Sequence, residues 1–152
     1  MESISLSSEP DAAQEDIETV RNGLRAFNRL ANPDPVSHAV RLFLRDADRA
    51  IQGGLIGVVL NGWLYIDFLW VEERLRHRGY GSQLLLAAEE EAKPYQCYGA
   101  LLDTFSSQAR PFYERFGYEV FAELPDCPLP GMARFYMRKT LPGRWTSRQT
   151  EA

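Results

Sequence analysis

Arg76-His77-Arg78-Gly79-Tyr80-Gly81-Ser82 is the stretch on which the reading of this chain turns. An apolar run, residues 64–71, precedes it, and a helical pattern, residues 83–92, follows it. Two glycines separated by one residue let a backbone turn tightly and approach a ligand without interference from Cβ atoms. The amides after them point out of the helix start, where four N–H groups have no internal partner. That end of a helix carries partial positive charge and ordinarily attracts acidic side chains. Here it carries Arg74, Arg76 and Arg78. Positive on positive is unfavourable until an anion arrives, and the anion that suits bare amides together with arginines is phosphate. The far end of the helix repeats the inversion. Glu89, Glu90 and Glu91 sit where cations are preferred, with Lys93 four residues beyond Glu89. The simplest reading of these glutamates is a solvated charged face.

The chain has 152 residues, the size of one domain, and such a chain buries roughly 70 % of the surface it exposes when unfolded. Hydrophobic residues make up 45 % and charged residues 25 %, values of an ordinary globular protein. A net charge of −4 indicates no general affinity for nucleic acid. Cys97 and Cys127 are too few for a disulfide framework and have no metal-ligand spacing, so neither a disulfide nor a metal is expected. Reduced thiols suit a cytoplasmic protein. No stretch approaches the roughly 18 apolar residues of a membrane span, and the N-terminus has no basic-then-apolar leader pattern.

Outward from the turn, the elements follow from periodicity and punctuation. Residues 2–6 alternate weakly, as a short strand would. In residues 16–30, Ile17, Val20, Leu24, Phe27 and Leu30 recur at helical steps. Residues 38–45 alternate as a strand. Residues 55–60 and 63–71 flank Asn61-Gly62, the strongest short hairpin signal. The second of these runs is apolar on both faces and belongs at the centre of a sheet. In the helix after the turn, Gly81, Leu84, Leu85, Ala88 and Ala92 form one stripe, with Gly81 permitting close packing on the sheet. Lys93-Pro94 ends it. Residues 99–104 are a buried strand. Ser106 or Ser107 can cap a short helix reaching Phe116, with Pro111 in its first turn and Gly117 as its stop. Residues 118–122 and 133–139 are the last strands, joined by a proline-rich loop. The order β-α-β-β-β-α-β-α-β-β predicts an α/β fold with mixed strand directions. Residues 1–141 read as one domain and residues 142–152 as a polar tail.

Three phosphate-binding designs compete for the turn. A P-loop needs a lysine before its Ser or Thr, and Gly81-Ser82 lacks one. A dinucleotide fingerprint needs a third glycine where Leu84 stands. The third design is Arg-x-x-Gly-x-Gly, present as Arg76, Gly79 and Gly81.

That pattern resembles the pyrophosphate-binding motif of the GNAT superfamily of acyl-CoA-dependent N-acyltransferases. A second segment, with Ala109, Phe112-Tyr113 and Gly117-Tyr118, is similar to the family's Asn-x-x-Ala-x-x-Phe-Tyr-x-x-x-Gly-Phe. The resemblance covers residues 38–141. The run 103–121 and the ending Arg138-Lys139-Thr140-Leu141 look like a bacterial subgroup of undefined substrate.

The resemblance implies a mostly antiparallel central sheet with helices on both faces and one splayed parallel strand pair, here residues 63–71 and 99–104. It implies acetyl-CoA as cosubstrate, with pantetheine along Leu69, Trp70 and Val71 and pyrophosphate on Arg76, His77, Arg78, Gly79, Tyr80, Gly81 and Ser82. A backbone amide near Leu69 or Trp70 would hold the oxyanion, and Tyr113 would protonate the departing thiolate while lining the cofactor site. Ser106 stands where the family often has a cofactor-contacting asparagine and can equally be a helix cap. Dimerisation is common in the family, and this sequence specifies no interface.

Asp67 is the candidate general base, because a carboxylate inside an apolar strand is costly and burial would raise its pKa. An ion pair with Arg41 or Arg45 explains it equally well. Tyr118 reads as core, and His38, Glu72 and Glu73 as surface. The reading is an N-acetyltransferase acting on the primary amine of a small molecule, with a peptide acetyltransferase and a non-catalytic CoA sensor as the other two possibilities.

Overall fold

Asn61 and Gly62 carry positive φ angles of 50° and 83°, the pair that a two-residue type I′ turn requires. The turn closes on the Leu60–Trp63 pair and joins β2 (Ile51–Leu60) to β3 (Trp63–Val71) as an antiparallel hairpin. A computed structural model of the chain describes residues 4–31, 36–105 and 109–142. Besides the hairpin these hold α1 (Gln14–Asn28), β1 (Ser37–Arg45), α2 (Tyr80–Ala92), β4 (Gly99–Thr104), α3 (Arg110–Glu114), β5 (Glu119–Pro125) and β6 (Ala133–Thr140). Two compact units are distinguished, residues 1–35 and 36–152. No helix among the described residues is long and apolar enough to cross a membrane.

The first unit contains α1, whose charges run with the helix dipole: Glu15 and Asp16 in the first turn, Arg25 in the last. The strand expected over residues 2–6 is absent from the described part of it, and Ile4 and Leu6 are fully exposed. Two apolar side chains bury too little to offset the entropy of ordering a strand.

The second unit is one six-stranded sheet in the order β1-β2-β3-β4-β6-β5. Every neighbouring pair is antiparallel except β3 and β4. The mixed, mostly antiparallel sheet with one parallel pair is the fold the motifs imply, and β3 lies in its interior as its two apolar faces predict. Alternation places Val40, Leu55, Val59, Leu64 and Ile66 on one face. There they meet Leu84, Leu85, Ala88 and Ala92 of α2 in a single core with Ala100, Leu102 and Met137.

The feature that shapes the site is an irregularity in β3. Ile56 pairs with Phe68, yet the next residue of β2, Gly57, pairs with Ile66. Asp67 is therefore the extra residue of a β-bulge, which bends the strand and increases its twist. At the same level the parallel pairing ends: it runs from Trp63–Gly99 to Ile66–Leu102 and no further. Residues 67–71 stay on β2 and part from β4, which opens the sheet.

Gly57 makes the bend possible. A Cβ there would lie 2.4 Å from the carbonyl oxygen of Tyr65. Gly57→Ala should cost about 3 kcal/mol in chemical denaturation, the upper range for forcing atoms into a packed site. An unchanged denaturation midpoint would show that the bulge does not depend on this approach.

Candidate active site

The Arg/Gly turn ends in Gly79, at φ 84°, which is the N-cap of α2. No side chain caps the helix, and no acidic residue lies in its first turn. Gln83 N donates to Gly79 O at 3.0 Å, so Tyr80, Gly81 and Ser82 supply the amides that have no intrahelical partner. These amides fit a pyrophosphate, and a helix of this length adds its dipole. Over them opens a cavity of about 600 Å³, lined by Arg76, His77, Gly79, Gly81 and Ser82 and, across from them, by Leu69, Trp70 and Val71.

Several details differ from the sequence reading. Arg74 is tied away, its Nη2 donating to Gln52 Oε1 at 2.6 Å, and Arg76 Nε donates to Val71 O at 3.1 Å. Arg78 and Tyr80 are not among the residues lining the cavity. Gly81 is not a close contact with the sheet: a Cβ there would meet only the Phe112 ring, at 3.5 Å. Ser106 and the serine cap lie outside the described residues, and the described cap, Ala109, makes no side-chain hydrogen bond. Arg115 lines the cavity and stacks over Phe112 at 5.8 Å. Nothing in the sequence marks it, because it occupies an unspecified position of the motif.

α3 carries Tyr113. Pro111 opens the helix, and Gly117, at φ 86°, stops it, with Phe116 N and Tyr118 N both donating to Tyr113 O. The Tyr113 ring is buried between Phe112 and Tyr118, which meet it edge-on at 5.0 and 5.9 Å. Burial, and then the Asp103 carboxylate, push its pKa up to about 12. The phenol therefore holds its proton throughout the physiological range.

A second cavity, of about 670 Å³, lies where β3 and β4 part. It shares Leu69, Trp70, Ala109 and Tyr113 with the first, so the tyrosine stands on a common wall. Asp67, Tyr65, Phe68, Asp103, Phe105 and Arg134 line its remainder. Asp67 is exposed, contrary to the burial expected of it. Leu64 and Ile66 take the core face of β3, so Asp67 falls on the opposite side, at the bulge, and the argument from burial for a general base lapses. Its supposed partner Arg45 donates instead to Arg49 O at 2.8 Å. Asp103 accepts from Arg134 Nε at 2.8 Å.

Beneath Tyr113 the glutamate run finds its use. Glu89 is buried; Tyr118 Oη donates to its Oε1 at 3.0 Å and Lys139 Nζ to its Oε2 at 2.6 Å. Burial and the Glu89 charge hold the Tyr118 phenol far above the usual tyrosine range. Lys93 pairs with Glu90 rather than Glu89, and Glu91 bonds His38 Nε2 at 2.7 Å. The reading of all three glutamates as a solvated face is thus corrected for Glu89. No group of three or more His, Cys, Asp or Glu among the described residues is arranged to hold a metal ion.

This arrangement has known counterparts. An acetyltransferase of Agrobacterium fabrum is 35% identical over 119 residues, 78% of this chain and 85% of its own length. The blasticidin-S acetyltransferase of Streptomyces morookaense is 40% identical over 92 residues, 60% of this chain and 67% of its own. The crystal structure of an acetyltransferase from Bacillus cereus matches with a TM-score of 0.78 at 33% identity, covering 89% of this chain and 98% of that one. The family model described as the Acetyltransferase (GNAT) family matches residues 6–118. With the splayed strands and the uncapped Arg/Gly turn, that match assigns the fold and the enzyme class together: the chain belongs to the GNAT family of acetyltransferases.

Proposed function

We propose that this protein moves an acetyl group from acetyl-CoA to the primary amine of a small molecule. The observation that carries the reading is the pair of cavities meeting at Tyr113. One has the unpartnered amides and cationic turn that suit a pyrophosphate; the other opens on the far side of the same wall. A donor and an acceptor lying one in each would meet where Leu69, Trp70 and Tyr113 stand. The relative named for blasticidin S supports a small acceptor. Free Cys97 and Cys127 suit a cytoplasmic site of action.

In this mechanism the neutral amine attacks the thioester carbonyl, forming the C–N bond. A backbone amide of residues 67–71, on the side where β3 has left β4, stabilises the oxyanion. The C–S bond then breaks, and Tyr113 donates its proton to the departing thiolate. The amine loses its own proton to water.

Acetyl-CoA offered with a panel of primary amines should give thiol release that depends on the amine. Binding of CoA with no release across the panel would favour a sensor instead. Gly81→Val tests the donor site cleanly, because Gly81 has no strained φ and its Cβ has room in the fold. Two added methyls over the α2 amides should raise the KM for acetyl-CoA by at least about tenfold with the melting temperature nearly unchanged. An unaltered KM in the folded variant would remove the turn from the binding site.

A further inference from the structure

The acceptor-side cavity contains one arrangement twice. At its β4–β6 edge, the Arg134 guanidinium donates to Asp103 at 2.8 Å and lies over the Phe105 ring at 4.8 Å and the Tyr136 ring at 5.3 Å. A carboxylate and aromatic faces here hold a planar cation supplied by the chain. On the β3 side the same elements recur: Asp67, with Phe68 and Trp70 beside it, 69% and 47% exposed. Here no cation of the described residues completes the set. Arg134 is engaged with Asp103, and Arg45 with Arg49 O and the Phe43 ring. Arg41 stands opposite Ile56, which pairs with Phe68, so a whole strand separates it from the bulge.

Asp67 is thus the uncompensated charge of this cavity among the described residues. The acceptor's reacting nitrogen must be neutral to attack, so it is not the group that a carboxylate would hold as a cation. A planar cation both pairs with a carboxylate and stacks on aromatic rings, which an ammonium does less well.

We propose that the acceptor is a primary amine bearing a second, planar cationic group of the amidinium or guanidinium type, and that Asp67 with Phe68 and Trp70 receives that group. The inference rests on the reading of this cavity as the acceptor side of an acetyltransferase. It makes Asp67 a specificity determinant in place of a base.

Three amines of one shape test it: 4-(aminomethyl)benzamidine, benzylamine and 4-(aminomethyl)benzoate. Each is measured for acetyl transfer and, by calorimetry, for binding to the enzyme–CoA complex. The wild type should favour the benzamidine over the benzoate by about tenfold in both, the size expected of a charge-assisted contact partly open to water. Asp67→Asn should bring that ratio close to one, and Asp67→Arg should reverse it. Equal use of the two by the wild type, or a ratio unmoved by Asp67→Asn, would overturn the inference while leaving the transferase reading intact. Ordered binding without any acetylated product would sink the transferase reading and keep the charge selection. Binding of none of the three would count against both.

Discussion

Tyr113→Phe is expected to lower kcat by about two orders of magnitude while the KM for acetyl-CoA stays within about twofold. The substitution removes one oxygen and keeps the ring that packs edge-on against Phe112 and Tyr118. Stability should therefore hold, and the loss can be assigned to the proton. The direction of the pKa shift sharpens the test. Burial, with the Asp103 charge second, raises the phenol to about 12, so the acid stays loaded well above neutrality. Asp103→Asn removes the repulsive charge, lowers that pKa, and should move any tyrosine-borne alkaline decline in kcat to lower pH. Steady-state kinetics across pH decide the matter. A Phe variant that turns over within about threefold of wild type would take Tyr113 out of the proton transfer.

Glu89→Leu should destabilise the fold by about 3 kcal/mol. The Glu89 and Lys139 side chains are 9% and 20% exposed, so the ion pair lies mostly out of water. Removing the carboxylate leaves the Lys139 ammonium without its partner and the Tyr118 hydroxyl without its acceptor. A protein of this length loses about 2–4 °C of melting temperature per kcal/mol, so a fall of roughly 6–12 °C follows. Replacing both ends with apolar side chains removes the unpaired charge. Glu89→Leu with Lys139→Met should therefore recover much of the loss. Calorimetric melting of the two variants tests this, and a double variant less stable than the single one would refute the pairing.

The parts of the site that depend on near neighbours in sequence were legible. The Arg/Gly turn, the Tyr113 segment, the Asn61-Gly62 hairpin and the bounds of β3 and β4 all rest on local spacing. What escaped depends on distant partners or on broken periodicity. Asp67 looked buried because its strand is apolar on both faces; it sits on the bulge itself, and the register shift there puts Leu69, not Phe68 or Trp70, opposite Leu55. Glu89 looked solvated because Lys93 stands four residues away; its partner is Lys139, fifty positions on. β2 starts at Ile51 and not at residue 55. Gly53 and Gly54 lie within that extension, where Cβ atoms would meet Trp70 O at 2.8 Å and Leu42 O at 2.7 Å. Those glycines serve close strand approach inside the sheet. Arg115 carried no signal at all, since its cavity exists only once α3 and the turn are brought together.

The four-pair joint between β3 and β4 has a mechanical consequence. The sheet is two three-stranded antiparallel ribbons meeting along a short seam. In the proposed mechanism one ribbon, with α2, carries the Arg/Gly turn, the backbone that faces the oxyanion and Asp67; the other, with α3, carries Tyr113. On that proposal neither half holds the complete apparatus, and the reaction is assembled across the seam. A small change of twist there alters the distance from phenol to thioester without unpacking either ribbon. On the same proposal, residues at the joint such as Trp63 and Gly99 influence the alignment of a reaction they do not touch. Each ribbon is free to diverge in what it binds so long as that alignment is kept.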